Sequence, residues 1–329
     1  MDKRPVLAGD IGGTKTALAL YNPDRTLLRE ATFINRQFSD ISEVIGNFLA
    51  GEKHLPGRVC LGAAGPVRDN RVRMTNLDWV IDAEKICSCF PFDSVRLVND
   101  LVATTAGVQH LPADGLLAVN PKERKPQGTI AVLAAGTGLG QSFAAWHENR
   151  LYPFPSEGGH ATFAPRNQQQ IELLTFMLKS KKHVSVEQVC SGLAIPDLFT
   201  FISSACPPPD WLNRQLRHQP DQTPTLIRAA VNALTGGPAC EAAVRTMFLF
   251  VDILAAEAAN LTLKSLATGG VYIGGGIPPR ILPFFDTTRF MAFFSRGSFS
   301  DLLAAIPVHI ILASETALTG ARELAMTKR

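Results

Sequence analysis

The chain has 329 residues, 46% apolar and 19% charged, and its 32 basic and 29 acidic side chains leave a net charge of +3. That balance is too mild and too dispersed for nucleic acid or an anionic membrane to be the main partner. The apolar share supplies a sizeable core and argues against disorder, and the length fits two domains.

The first apolar run, residues 6–8, ends at Gly9-Asp10-Ile11-Gly12-Gly13-Thr14. Strand-like residues 17–21 follow, then a turn at Asn22-Pro23-Asp24 and a further strand over about 27–33, so the segment reads as a hairpin. Asp10 breaks the apolar stretch that follows Lys3 and Arg4, so no signal peptide is expected. The first helix is capped by Ser39 and places Ile41, Val44, Ile45, Phe48 and Leu49 on one face. Residues 59–61 form a buried-type strand leading to Gly65-Pro66, and 95–98 form another, with Asn99-Asp100 at its end and a helix after it.

A second block repeats the plan of strand, glycine turn, strand: residues 129–133, then Ala135-Gly136-Thr137-Gly138-Leu139-Gly140, then 142–146. The loop Pro155-Ser156-Glu157-Gly158-Gly159-His160 follows. Helices are expected at about 168–181, 186–203 and 238–264, with an irregular loop from Cys206-Pro207-Pro208-Pro209 to about 222. The basic cluster Lys179-Ser180-Lys181-Lys182-His183 reads as a solvated helix end. A strand at 271–273 feeds Gly274-Gly275-Gly276, and the chain closes with a strand at 308–312 and a short helix after Ser314. No uncharged apolar run approaches the ~18 residues of a membrane span. The six cysteines lack Cys-x2-Cys spacing, so ordinary thiols in a reducing cytoplasm are expected rather than zinc or disulfides.

Glycine turns at strand ends expose backbone N–H groups and let a phosphate approach closely, and three such turns together point to a phosphate-bearing ligand. Two common nucleotide motifs are excluded. Thr14 stands where a Walker A loop needs its second glycine, and Gln141 stands at the third glycine position of a dinucleotide fingerprint. Asp10 beside phosphates would repel them unless a cation such as Mg²⁺ lies between; the competing reading is that it hydrogen-bonds its own turn. Asn99 and Asp100 read equally as a helix cap. Glu157, Gly158, Gly159 and His160 suit contacts to several hydroxyls, as a sugar requires. Ser185 and Gln188 read as a capping box with Glu187 in the first helical turn, which accounts for Glu187 without any ligand.

Taken in order, GDIGGTK (9–15), MTNLDW (74–79), VND (98–100), AAGTGLG (134–140), PSEGGH (155–160), VSVEQVCSG (184–192) and GGVYIGGGIPPR (269–280) resemble the bacterial ATP-dependent glucokinases. These belong to the hexokinase–actin–chaperone ATPase superfamily and are distinct from the repressor/open-reading-frame/kinase (ROK) group, whose cysteine-rich zinc motif is absent here. The resemblance implies a two-domain α/β fold of actin-like (ribonuclease H-like) type with an interdomain active-site cleft. It puts the small domain at 1–109 plus 312–329 and the large domain at 110–311. It implies phosphorylation of D-glucose by ATP with Mg²⁺, in a cytoplasmic homodimer. Asp100 resembles the general base, and Asn99, Glu157, His160 and Glu187 the sugar ligands. Gly9, Asp10, Ile11, Gly12, Gly13 and Thr14 resemble one phosphate loop, with Asp10 holding Mg²⁺ through water. Gly136, Thr137, Gly138 and Gly140 resemble the other, and Gly274, Gly275 and Gly276 part of the adenosine site. Lys15 stands where some relatives carry asparagine. Alternatives on the same fold are a kinase for another hexose, a catalytically silent sugar or nucleotide sensor, and an actin-like filament or chaperone-type ATPase.

Overall fold

The N-terminal apolar run becomes β1 (Val6–Ile11), fully buried but for the half-buried Asp10. Burial on both faces is what a near-continuous apolar strand at the centre of a sheet requires. The computed structural model describes residues 4–74 and 77–327, so Thr75 and Asn76 of the MTNLDW segment lie outside the described residues. β1 pairs antiparallel with β2 (Lys15–Tyr21), which pairs antiparallel with β3 (Leu27–Ile34). On its other side β1 runs parallel to β4 (Arg58–Ala63), giving the sheet order β3-β2-β1-β4-β8 once β8 (Ser94–Asn99) is added. A small antiparallel sheet of β5 (Val67–Arg68), β6 (Arg71–Arg73) and β7 (Val80–Asp82) lies between β4 and β8 in the chain.

Alternating side chains send the two faces of the main sheet to different helices. Leu7, Ile11, Leu18 and Leu61 pack with Ile41, Val44, Ile45 and Phe48 of α1 (Ile41–Leu49), whose buried face is the one its spacing predicts. Asp40, not Ser39, caps α1: its side chain accepts from Glu43 N–H at 3.0 Å, while Ser39 N–H donates back to Glu43 at 2.7 Å. The cap therefore sits one residue later than expected, and the reciprocal bond belongs to the residue before it. α2 (Ala83–Cys89) precedes β8. The opposite face, with Val6, Ala8, Ala19 and Cys60, packs on α3 (Asp100–Gly107) and a C-terminal helix (Thr316–Met326). That last helix is 11 residues long. A Cβ on Gly320 would lie 1.7 Å from Ala103 O, so the two helices meet backbone to backbone. These elements form the first of two compact units, Met1–Ala113, Arg150–Pro155 and Ala313–Arg329.

The second unit is Asp114–Asn149 and Ser156–Leu312, and its strands belong to a sheet in the order β12-β11-β10-β13-β14-β9. Its strands are β9 (Leu116–Asn120), β10 (Ile130–Ala135), β11 (Leu139–His147), β13 (Gly270–Gly274) and β14 (Val308–Ile311). β12 (Arg150–Ser156) spans the division of the chain. β10, β13 and β14 are mutually parallel. The helices are α4 (Gln168–Met177), α5 (Ile195–Ser203), α6 (Asp210–Leu216), α7 (Thr223–Leu234), α8 (Glu241–Ser265), α9 (Thr287–Phe294) and α10 (Ser300–Ala304).

Several helix bounds differ from expectation. α4 stops at Met177, so the basic cluster lies beyond it, and Lys181 bonds Asp197 at 3.1 Å. The helix expected over 186–203 is divided, because Gly192 and Leu193 donate their N–H groups to the carbonyls of Gly136 and Thr137 instead of continuing a helix. The loop expected up to 222 contains α6, which opens directly after Pro209.

α8 is, among the described residues, the one helix long and apolar enough by length and composition to cross a membrane, although Asp252 and Glu257 interrupt its apolar run. In the fold 83% of its apolar window is buried, so it serves as a core helix. Its two buried acids are hydrogen-bonded: Asp252 takes two bonds from Arg289 at 2.8 and 2.7 Å, and Glu257 accepts from Gln141 at 2.8 Å and Asn260 at 2.7 Å. Phe284, Phe285, Phe290 and Phe294 are buried in the same core, with Phe293 packed against it.

Candidate functional site

The parallel strands β1, β4 and β8 end in one row, Ile11 beside Ala63 and Ala63 beside Asn99. This brings Asp10 and Asp100 to the same end of the first unit's sheet. Gly9 lies within β1, and Gly12, Gly13 and Thr14 turn the chain into β2, closed by Gly12 N–H donating to Lys15 O at 2.9 Å. Burial pushes the Asp10 carboxyl from its ordinary 3.8 up to about 6, and the charge of Asp100 adds to the shift. Asn99 caps α3: its Oδ1 accepts from Leu101 N–H at 3.0 Å, and its Nδ2 donates to Gly65 O at 3.2 Å. Asp100 Oδ1 accepts from the same Leu101 N–H at 2.9 Å. The capping reading of this pair is thus correct, and it engages one oxygen of each. A cavity of about 380 Å³ opens beside the β1–β2 turn, lined by Gly13, Thr14, Lys15, Ile34, Arg36 and Leu77.

The second unit collects the other candidates around the β10–β11 turn. Gly136 N–H donates to Gly138 O at 2.9 Å, and Gly140 lies in β11 opposite Ala134. Glu187 Oε2 accepts from Leu139 N–H at 2.9 Å, while its Oε1 stands 3.8 Å from His160 Nδ1. A Cβ on Gly138 would lie 2.5 Å from that Glu187 oxygen, so the carboxylate closes on bare backbone. Glu187 therefore does more than sit at a helix end: its helix is a three-residue turn, and its carboxylate ties the glycine turn to His160. Of the expected capping box only the half from Ser185 N–H to Gln188, at 3.0 Å, is made. His160 closes the turn that Glu157 opens, donating its N–H to Glu157 O at 3.0 Å, and both side chains are exposed. Gly274 ends β13 beside Ala134, and Gly275 and Gly276 follow it, exposed.

Both nucleotide and cation have fitting residues here. A Cβ at Gly136 or Gly276 would meet nothing within 4 Å, so both turns offer bare backbone to open space, a surface suited to close approach of a nucleotide. Among the described residues no three His, Cys, Asp or Glu side chains gather as a metal cage. Mg²⁺ does not need one: it is held through water and one or two carboxylates, and the mutually repelling Asp10 and Asp100 fit that demand.

Two supporting groups escaped the sequence reading. Asn35 is buried at the end of β3 and bonds the β1–β2 turn, with Nδ2 donating to Gly12 O at 2.8 Å. Gln141, held by the buried Glu257, sits under the sugar-type loop, its Oε1 2.2 Å from where a Cβ on Gly158 would stand. Both contacts join residues far apart in the chain, and no local pattern marks them.

The sequence model of the glucokinase family matches residues 7–328. A glucokinase from Nostoc sp. is 36% identical over 332 aligned positions, which cover 96% of this chain and 97% of that protein. The crystal structure of a glucokinase from an Antarctic psychrotroph superposes with a TM-score of 0.84 at 27% identity, covering 98% of this chain and 99% of that one. A ROK-family glucokinase from Streptomyces griseus, solved in complex with glucose and AMPPNP, shares the fold at a TM-score of 0.63 and 21% identity, covering 98% and 99%. The fold is the two-domain actin-like α/β fold. The chain belongs to the glucokinase family.

Proposed function

We propose that the chain transfers the γ-phosphoryl group of ATP to the 6-hydroxyl of D-glucose, giving glucose 6-phosphate and ADP, with Asp100 as the general base. ATP-dependent glucokinase activity follows from the family, and the Streptomyces griseus relative with glucose and AMPPNP supports the pair of substrates. The observation that carries the site assignment is the placement of Asp100 at the strand end it shares with Asp10 and the β1–β2 glycine turn.

Phosphoryl transfer depends on alignment and charge stabilisation more than on covalent chemistry. Asp100, seated at the start of α3, orients the sugar hydroxyl and takes its proton. The N–H groups of Gly13, Thr14, Thr137 and Gly138 receive phosphate oxygens, those of Gly12 and Gly136 being used within their own turns, and the exposed backbone of Gly275 and Gly276, which follows the buried Gly274, packs against adenosine. Bound Mg²⁺, held through water by Asp10, would neutralise charge on the β- and γ-phosphates. Asn99, Glu157, His160 and Glu187 bind sugar hydroxyls. A hexose lacking one of those hydroxyls leaves a polar partner unpaired, at a cost of ~1–3 kcal/mol. Free thiols at all six cysteines support a cytoplasmic enzyme. A homodimer is the assembly the family resemblance implies, and sedimentation should give twice the 35.5 kDa chain mass.

The test is a coupled assay of glucose phosphorylation by ATP, with other hexoses in parallel and Asp100→Asn as control. The variant should lose roughly 10²- to 10⁴-fold in kcat while calorimetry finds glucose still bound. Turnover near that of the wild type would overturn the base assignment, and preference for another hexose would overturn the substrate.

A further inference from the structure

We propose that Asn35 is a positioning residue of the β1–β2 turn, holding its backbone so that N–H groups rather than carbonyl oxygens face the nucleotide phosphates; this rests on the reading of that turn as a phosphate loop. Asn35 is 1% exposed and lies 23 residues from the turn glycine it contacts. Its Nδ2 donates to Gly12 O at 2.8 Å, and its backbone N–H donates to Thr14 O at 2.9 Å. Two carbonyls of the turn are thus drawn onto one buried residue. A carbonyl oxygen is the negative end of the peptide dipole, so a turn cradles an anion only when its carbonyls point elsewhere.

The amide can be held only one way round. Gly12 O accepts and cannot donate, so the end facing it is Nδ2. Asn35 Oδ1 then falls to the hydroxyl of Thr16, which donates to it at 2.8 Å and is itself fully buried. Aspartate at position 35 would keep the shape but oppose a carboxylate oxygen to Gly12 O, pushing that carbonyl out of place. Valine at position 16 would keep the strand but leave the amide without its orienting partner.

The test compares nucleotide and sugar parameters in Asn35→Asp and Thr16→Val. Asn35→Asp should lose roughly ten- to hundredfold in kcat/KM for ATP, with the glucose dissociation constant from calorimetry within about twofold. Thr16→Val should move the same parameter by roughly three- to tenfold. Because both act through one amide, the double variant should lose no more than Asn35→Asp alone. An equal fall in glucose affinity would make the role merely structural and overturn the proposal. Should Asn35→Asp fail to fold, the ATP-specific loss in Thr16→Val decides alone. Asp10→Asn separates the two levels. If it raises the ATP KM while Asn35→Asp and Thr16→Val do not, the positioning role alone is overturned. If all three leave ATP unaffected, the phosphate-loop reading fails with it.

Discussion

Asp10 is a charged side chain held where charge is costly. Burial first, and the charge of Asp100 second, raise its carboxyl from 3.8 to about 6. At the low end of that interval the acid is neutral in the folded chain, and as pH climbs through about 6 it must ionise inside the fold. Stability contributed by the neutral form is therefore present below pH 4 and lost on the way to neutrality. Without ligands, Asp10→Asn should be more stable than the wild type at pH 7.5, by up to about 3 kcal/mol from the shift, and the gap should close near pH 4. Urea unfolding at the two pH values measures this, and equal stability at pH 7.5 would contradict it. MgATP should reverse the order, stabilising the wild type and not the variant, because a cation removes the repulsion that burial creates. Asp10 was legible as an anomaly, since an acid inside a glycine turn invites the question of its partner. Glu187 is a first-turn acid as its sequence neighbours imply, but Leu139 and His160, which it meets in space, lie 48 and 27 positions away, so no local pattern marks those contacts.

Elements with their own periodicity were the most legible. The buried stripe of α1 follows directly from residues 41, 44, 45, 48 and 49. Where a segment's backbone serves another segment, the local pattern misleads: the 186–203 helix breaks at Gly192 because the β10–β11 turn claims its N–H groups. The run of prolines at 207–209 read as a loop, yet proline is tolerated at a helix start and there introduces α6. The seat of α3 was equally hidden, since it depends on a glycine more than 200 residues away. Gly320 lets the C-terminal helix reach Ala103 O. A methyl group there forces the helices apart, and overpacking of this kind costs ~1–3 kcal/mol. Gly320→Ala should therefore lower the melting temperature by several degrees and shift α3, which carries Asp100 at its first turn. Kinetics should show kcat falling by more than the glucose KM rises. An unchanged kcat in a destabilised protein would show that the crossing supports the fold but not the base.

At the scale of the whole molecule, the order of motifs along the chain made the fold class legible, but the packing of each unit was not. Each unit has its own buried clusters: Leu7, Phe48 and Leu61 among others in the first, Phe250, Phe284 and Phe290 in the second. The candidate sugar ligands are divided as well, with Asn99 and Asp100 in the first unit and Glu157, His160 and Glu187 in the second. Chains of this build need not unfold as one cooperative block, and scanning calorimetry of the free protein should resolve two transitions. Ligand raises the stability of whatever binds it, by about 2.7 kcal/mol at a hundredfold excess over Kd. Glucose that engages both groups of residues should raise both transitions, with AMPPNP and Mg²⁺ raising them further. Glu157→Gln should then weaken the glucose shift of both transitions together. A glucose shift confined to one transition would mean that the sugar is held by one group alone, and the roles given to the other would have to be withdrawn.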